Sequence, residues 1–306
     1  MDGYLLINNK KYPYKCDYKN ESALRDSFNK LTEKTYGFNF EQWYNDGHWG
    51  ERYIPYSILC EDQIVSNVSV NIIDFDFYGE QKRFIQIGTV MTDRDFQGQG
   101  FSRTLLEAVL KEWENSCDLI YLFANDSVLD FYPKFGFNKI DEYVYSLRKV
   151  KEDNSTESMR YTNIRKLNMD NDKDRAILYN LVCNTRIFSS VSMINNPSLI
   201  MFHCTYFMKN DIYYLEDYNT AVICDFEEDT IYLYELFSTD EVKLDIIINV
   251  IANSEIEKVV LGFIPKDTSG YNMDLLTDED TTLFIKKGKY NPFENKFLRF
   301  PTLSHA

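Results

Sequence analysis

Apolar residues recur along the chain with two periods, and these mark where helices and strands belong. Over residues 21–36, Leu24, Phe28 and Leu31 return every three or four positions with charged residues between them. Over 101–113, Leu105, Leu106, Val109, Leu110 and Trp113 do the same, while Arg103, Glu107, Lys111 and Glu114 fall largely elsewhere. That spacing puts the apolar side chains on one face of a helix. Residues 57–61 and 63–74 alternate instead, with Val65, Val68, Val70 and Ile72 favouring strand and Glu61-Asp62 at the turn, which predicts a hairpin. Residues 82–91 make a further strand, the apolar run 119–123 suits a buried parallel strand, and 143–147 closes the set. The predicted order is β, α, β, β, β, α, β, α, β.

Beyond a charged stretch at 149–158, read as a linker, the pattern resumes. Helices are expected at 172–187, 197–208 and 240–251, and strands at 212–215, 220–224, 230–237 and 259–264. The 306 residues therefore read as two α/β (α+β) domains, 1–150 and 159–306. The second repeats the succession of meander, helix and strand without a direct sequence repeat, as a degenerate copy of the first would.

Strand 82–91 runs through Val90-Met91-Thr92 into a polar turn, and Gly98 and Gly100 then lead directly into a helix. The first amides of a helix lack partners within it, and the macrodipole places roughly +0.5 charge there. Glycine permits positive φ and a close backbone approach. Such a junction suits an anion, usually a phosphate, and equally suits a plain tight turn. No Lys-Ser or Lys-Thr pair follows Gly100, which excludes a Walker A loop, and Ser102 and Arg103 stand where the dinucleotide fingerprint needs a third glycine.

The run Gln97-Gly98-Gln99-Gly100-Phe101-Ser102 resembles the acyl-CoA pyrophosphate loop of the GNAT superfamily of N-acetyltransferases, Gln/Arg-x-x-Gly-x-Gly/Ala, departing at Ser102. Downstream, Asn125-Asp126-Ser127-Val128-Leu129-Asp130-Phe131-Tyr132-Pro133-Lys134-Phe135-Gly136-Phe137 resembles the superfamily's Asn-x-x-Ala-x-x-Phe-Tyr-x-Lys-x-Gly-Phe, with Val128 in place of Ala. The first half is identified as a member on these two motifs. The resemblance implies a mixed central sheet flanked by helices, in which two parallel strands splay apart after the glycine loop and acetyl-CoA enters the gap as co-substrate. It implies that Val90, Met91 and Thr92 bond pantetheine through their main chain, with oxyanion donors near Met91. Gln97, Gly98, Gln99, Gly100, Phe101 and Ser102 would hold the pyrophosphate, and Asn125 would bond CoA or cap the helix after it. Tyr132 would protonate the departing thiolate, since a phenol with pKa near ~10 keeps its proton at neutral pH. In a chain of 23 tyrosines it could equally be a packing residue.

In that family the region between the first helix and the first long strand lines the acceptor pocket. Trp43, Trp49 and Tyr53 are thus candidate substrate walls, with ordinary aromatic packing as the alternative. The general base is open among Glu51, Asp74, His48, the carboxylate of Ala306 and a water chain. A net charge of −15 disfavours nucleic acid and is compatible with a cationic amine. Six scattered cysteines without Cys-x-x-Cys spacing and three dispersed histidines predict reduced thiols and no metal site. Residues 1–20 do not read as a signal peptide and no apolar run reaches transmembrane length, so a cytoplasmic protein with no membrane partner is expected. The expected activity is acetyl-CoA-dependent acetylation of a primary amine on a small molecule or peptide. The alternative is a non-catalytic acyl-CoA sensor or scaffold. Asp240 and Glu241, in place of glycines before Val242, predict no second CoA site, and the closing segment 297–301 is expected against the first domain.

Overall fold

The structure is a computed structural model that describes residues 3–148, 163–277, 280–286, 288, 290–294 and 296–306. The linker expected at 149–158 lies outside the described residues. The first half supplies strands β1 (Gly3–Ile7), β2 (Lys10–Cys16), β3 (Tyr53–Cys60), β4 (Gln63–Phe77), β5 (Glu80–Thr92), β6 (Leu119–Ala124), β7 (Phe137–Ile140) and β8 (Tyr143–Arg148). Its helices are α1 (Ser22–Tyr36), α2 (Glu41–Asn45) and α3 (Phe101–Trp113). The second half supplies β9 (Ile164–Lys166), β10 (Val191–Ile194), β11 (Ile212–Leu215), β12 (Thr220–Glu227), β13 (Thr230–Ser238), β14 (Lys258–Leu261), β15 (Asn272–Leu275) and β16 (Thr282–Lys286). Its helices are α4 (Asp172–Asn184), α5 (Pro197–Phe202) and α6 (Leu244–Ile251).

Two mixed sheets result, ordered β1-β2-β3-β4-β5-β6-β16-β7, with β10 on β4, and β15-β8-β14-β13-β12-β11-β9. Each is an antiparallel meander followed by one parallel pair reached through a helix: β5 and β6 through α3, β13 and β14 through α6. The α/β class is as expected, but sheet membership does not follow the expected boundary. Strand β8, read as the closing strand of the first domain, pairs antiparallel with β14 and β15. In return β16 enters the first sheet between β6 and β7, antiparallel to both. Alternation within a strand says which face is buried and nothing about which sheet accepts its edges.

Local departures have local causes. The stretch after Asn125 forms two 3₁₀ turns, Asp126–Val128 and Tyr132–Phe135, instead of an α-helix. Pro133 lacks an N–H and restricts Tyr132, and Gly136 at φ 84° ends the second turn. Helix α1 starts at Ser22 with Glu21 as its cap residue and no side-chain cap bond, so Ser22 is not the cap. Helix α6 starts at Leu244, which leaves Asp240 and Glu241 in the loop before it.

The apolar stripe of α3 covers one face of the first sheet, burying Leu105, Leu106 and Val109 against Val68, Val70, Ile85 and Leu122. On the other face Phe75, Phe84 and Tyr121 meet the closing segment. Phe300 lies 4.4 Å from Tyr121, 5.3 Å from Phe75 and 5.9 Å from Phe84, centroid to centroid. Burying that one ring contributes on the order of 2 kcal/mol. Leu298 is buried beside it, whereas Phe297 is exposed.

Candidate active site

Strands β5 and β6 pair over only three positions, Phe84–Leu119, Ile85–Ile120 and Gln86–Tyr121, and diverge beyond them. A bulge opens the same edge from the other side. Ser69 faces Gly88 and Asn67 faces Met91, so Thr89 and Val90 stand opposite Val68 alone, and Thr89 takes φ 47°. A β-branched residue there is strained, and buried polar groups hold it. Asn67 Nδ2 donates to Thr89 O at 2.8 Å, Ser57 Oγ donates to Asn67 Oδ1 at 2.9 Å, and the Tyr18 and Ser57 hydroxyls are 2.6 Å apart. The Tyr53 hydroxyl is 2.8 Å from Thr89 Oγ1. A bulge frees backbone groups from the ladder, here along one wall of a cleft of about 820 Å³.

The glycine loop adjoins one end of the cleft, which its flanking residues Gln97 and Ser102 line. Gly98 and Gly100 adopt φ 72° and 91°, and a Cβ on either would meet nothing within 4 Å, so glycine is needed there for backbone conformation. Gly100 occupies the cap position of α3 without a side-chain cap, and the first helical bond is Thr104 N–H to Gly100 O. The amides of Phe101, Ser102 and Arg103 precede that bond, which suits an anion. Ser102, the departure from the motif, has a structural use: its hydroxyl is 2.6 Å from Thr92 Oγ1, which is 2.8 Å from Ser66 Oγ, tying helix start to strand end. Arg94 and Lys34 line this end, Lys34 pairing with Asp93 at 2.8 Å.

Of the expected cofactor residues, Val90, Met91, Thr92, Gln97, Ser102 and Asn125 line the cleft, while Gly98, Gln99, Gly100 and Phe101 stand at its margin outside the lining. The Phe101 side chain is buried, 4.8 Å from the Tyr12 ring and 5.2 Å from the Phe96 ring. Two main-chain acceptors expected to meet pantetheine are already engaged. Tyr36 donates its hydroxyl to Val90 O at 2.7 Å, and Gln97 Nε2 donates to Thr92 O at 3.0 Å. Asn125 Oδ1 accepts from Ser127 Oγ at 2.8 Å, and its side chain makes no cap bond to the 3₁₀ turn Asp126–Val128 that it precedes.

Tyr132 lines the cleft and is 6% exposed. Burial pushes its phenol well above the ordinary value, with nearby Tyr36 adding a smaller push. Trp43, Trp49 and Tyr53 are buried and do not line the cleft. The Trp43 and Trp49 rings stack at 5.6 Å, Phe202 of α5 lies 5.2 Å from Trp43, and Trp43 Nε1 donates to Ser198 O at 2.9 Å. Trp43 thus packs against the second half, and none of the three rings lines the cleft. Among the base candidates, Glu51 pairs with Lys19, Asp74 lies between Arg52 and Arg83, and the His48 ring stacks on Tyr179. None of those three lines the cleft, whereas Ala306 does. Its backbone oxygen accepts from Gln86 Nε2 at 3.5 Å and would lie 3.0 Å from a Cβ at Gly88. Sequence reasoning missed Tyr36, Phe123 and Asp280, which also line the cleft, the last brought by the crossing of β16.

The second sheet diverges at the corresponding place, after Leu233–Leu261, and there the chain fills its own gap. Gly262 N–H donates to Leu233 O at 2.7 Å, and Thr302 N–H donates to Gly262 O at 2.9 Å. Arg299 Nη1 donates to Leu261 O at 2.9 Å, and Leu303 is fully buried. Among the described residues no group of three or more His, Cys, Asp and Glu could hold a metal, and no helix is long and apolar enough to cross a membrane.

Residues 21–140 match the family model for the acetyltransferase (GNAT) domain. A search of curated proteins gave no match. Similar solved structures include a probable N-acyltransferase from Enterococcus faecalis, 16% identical with TM-score 0.55, over 90% of this chain and 72% of that one. Eis1 from Mycobacterium abscessus is similar at 11% identity and TM-score 0.53, over 88% and 72%. A GCN5-related N-acetyltransferase from Kribbella flavida gives 14% and 0.50, over 89% and 71%. At these identities the likeness is one of fold, and it extends over both halves of the chain.

Proposed function

We propose that the protein, whose residues 21–140 match the family model for the acetyltransferase (GNAT) domain, transfers an acetyl group from acetyl-CoA to a primary amine by direct attack on the thioester. The observation that carries this reading is the cleft itself. Its walls are the diverging ends of β5 and β6, its outer end is the start of α3, and Tyr132 stands in its wall. The uncapped amides of α3, with Arg94 beside them, would take the pyrophosphate. The bulged backbone from Thr89 to Thr92 would run along pantetheine.

In the reaction the amine nitrogen bonds to the acetyl carbon and the carbon–sulfur bond breaks. Tyr132 gives its proton to the leaving sulfur and recovers it from solvent. Burial raises its pKa and so keeps the phenol protonated across the neutral range. The amine's proton passes to water. Preorganised main-chain donors at the bulge would stabilise the oxyanion, a contribution of ~3 kcal/mol where such donors have been removed elsewhere. Thiol release from acetyl-CoA over a panel of spermidine, kanamycin, 2-phenylethylamine and a peptide N-terminus tests the reading. Tight acetyl-CoA binding without amine-dependent thiol release would make the protein a binder.

A further inference from the structure

Strand β16 lies between β6 and β7 and runs antiparallel to both. Thr282 stands opposite Ala124 at the end of β6, and Lys286 opposite Phe137 at the start of β7. Residues 125–136, which join β6 to β7 and carry Tyr132, must therefore travel from one end of β16 to the other. Three side chains of the β16 segment meet that connection along its length. At its start Asp280 Oδ1 accepts from the Asp126 N–H at 2.7 Å. In its middle the Phe284 ring lies 6.1 Å from the Tyr132 ring, centroid to centroid, and both side chains are buried. At its end Lys286 Nζ donates to Phe135 O at 2.6 Å.

We infer that Asp280, Phe284 and Lys286 are positioning residues for Tyr132, so that the second half of the chain fixes the acid while supplying no group that reacts. The inference rests on the acyl-transfer reading for the role of the phenol, and on the three contacts for its placement. The connection is poorly equipped to hold itself. It consists of two short 3₁₀ turns, whose hydrogen-bond geometry is weak and whose terminal groups lack partners within the turn. Asn125 makes no cap bond to the first turn, and Asp280 supplies the missing acceptor. Lys286 supplies a donor for the carbonyl of Phe135, the last residue of the second turn. The other rings against Tyr132, Phe131 at 5.2 Å and Phe137 at 6.1 Å, belong to the connection or to the strand it enters. They move with it, whereas Phe284 is anchored in a strand paired on both sides. Placement matters because a general acid must reach its atom at hydrogen-bond distance, and an error of ~1 Å can cost ~10²-fold in rate.

Two measurements on the full chain test this. In hydrogen–deuterium exchange read by mass spectrometry, Lys286→Met and Asp280→Ala should each speed exchange over residues 126–136 about fivefold, as loss of one hydrogen bond would, and leave α3 unchanged. In steady-state kinetics with an amine that releases thiol from acetyl-CoA, Lys286→Met should lower kcat roughly tenfold, less than loss of the phenol itself. The calorimetric Kd of acetyl-CoA should not change, because Lys286 does not line the cleft. In a Tyr132→Phe background the same substitution should lower kcat no further, since it acts through the phenol, whereas a general loss of structure would lower it in both. Asp280→Asn, which keeps an acceptor oxygen, should recover most of what Asp280→Ala loses. Unaltered exchange over 126–136 in both variants would overturn the inference, as would a kcat that falls equally in both backgrounds. Faster exchange in Lys286→Met beside a Tyr132→Phe variant of full kcat, or beside no amine-dependent thiol release at all, would leave the placement of Tyr132 by β16 standing and bring down the acid's role instead.

Discussion

Tyr36→Phe is expected to tighten acetyl-CoA binding. In the free protein the Tyr36 hydroxyl donates to Val90 O at 2.7 Å, the carbonyl at the bulge that pantetheine's amide N–H would otherwise use. Binding must therefore break one hydrogen bond before it makes its own. A hydrogen bond of this kind is worth ~1 kcal/mol net, and 1.4 kcal/mol corresponds to a factor of ten, so deleting the competitor should lower Kd about fivefold. Burial pushes the Tyr36 phenol up to about 12. It therefore stays a neutral donor throughout the usable range, and the gain should not change between pH 6 and 9. Phenylalanine keeps the ring and its stacking on Phe38 at 6.1 Å, which limits the change to the hydroxyl. Calorimetric titration with acetyl-CoA measures it. An unchanged or weakened Kd would refute the reasoning, because pantetheine would then not need the Val90 carbonyl or Tyr36 would itself hold the cofactor.

Tyr132→Phe should leave acetyl-CoA affinity nearly unchanged and lower kcat by ~10²-fold, as loss of a general acid does. Since burial raises the Tyr132 pKa, the protonated form persists upward in pH, and kcat in the unmodified enzyme should show no fall assignable to this group below pH 10. A fall that vanishes in the variant would contradict that. Gly100→Glu should abolish acetyl-CoA binding, because the residue takes φ 91° and the new carboxylate would stand among the amides to which the proposal assigns the pyrophosphate. A folded variant that retained the parent's Kd would move the site elsewhere. Acetyl-CoA should titrate to one site per chain, and a second site surviving Gly100→Glu would falsify the view that the second half binds none. Gly262→Ala should lower Tm by several degrees, since its Cβ would sit 2.6 Å from Tyr234 O and overpacking of this kind is destabilising by about 1–3 kcal/mol. Unaltered unfolding would mean that the backbone at Tyr234 and the Thr302 side chain move aside freely.

The sequence made the first half legible because its chemistry is local. The strand, glycine loop and helix over 82–113 form one continuous stretch, and the motif around Tyr132 is another, so periodicity and spacing found both. What stayed hidden depends on which strand lies beside which. Nothing within Tyr143–Arg148 or Thr282–Lys286 tells that each joins the other half's sheet. The same blindness hid Asp280, which reaches the cleft only because β16 crosses over. Trp43 and Trp49 are ambiguous in the sequence for a related reason. A dense aromatic run fits a substrate wall and a packed interface equally well, and the deciding partner, Phe202, lies far along the chain. Asp240 and Glu241 draw attention to charge, whereas in the structure the diverging end of the second sheet is filled by Arg299 and Thr302.

That filling is supplied by the chain itself, and it accounts for the asymmetry between two sheets of similar construction. In both, a parallel pair reached through one helix must diverge at its end, leaving backbone groups without ladder partners. Buried groups of this kind are destabilising unless something pairs with them. In the second sheet the segment Arg299–Leu303 provides permanent partners, bonding Leu261 O and Gly262 O. In the first sheet the cleft remains open, and side chains make the provisional bonds, Tyr36 on Val90 O and Gln97 on Thr92 O. Provisional partners can be exchanged for a ligand at little net loss, whereas a threaded segment anchored by the buried Phe300 and Leu303 cannot. Under the acyl-transfer proposal one divergence is kept for chemistry, and the other holds the segment that packs against the back of the cleft.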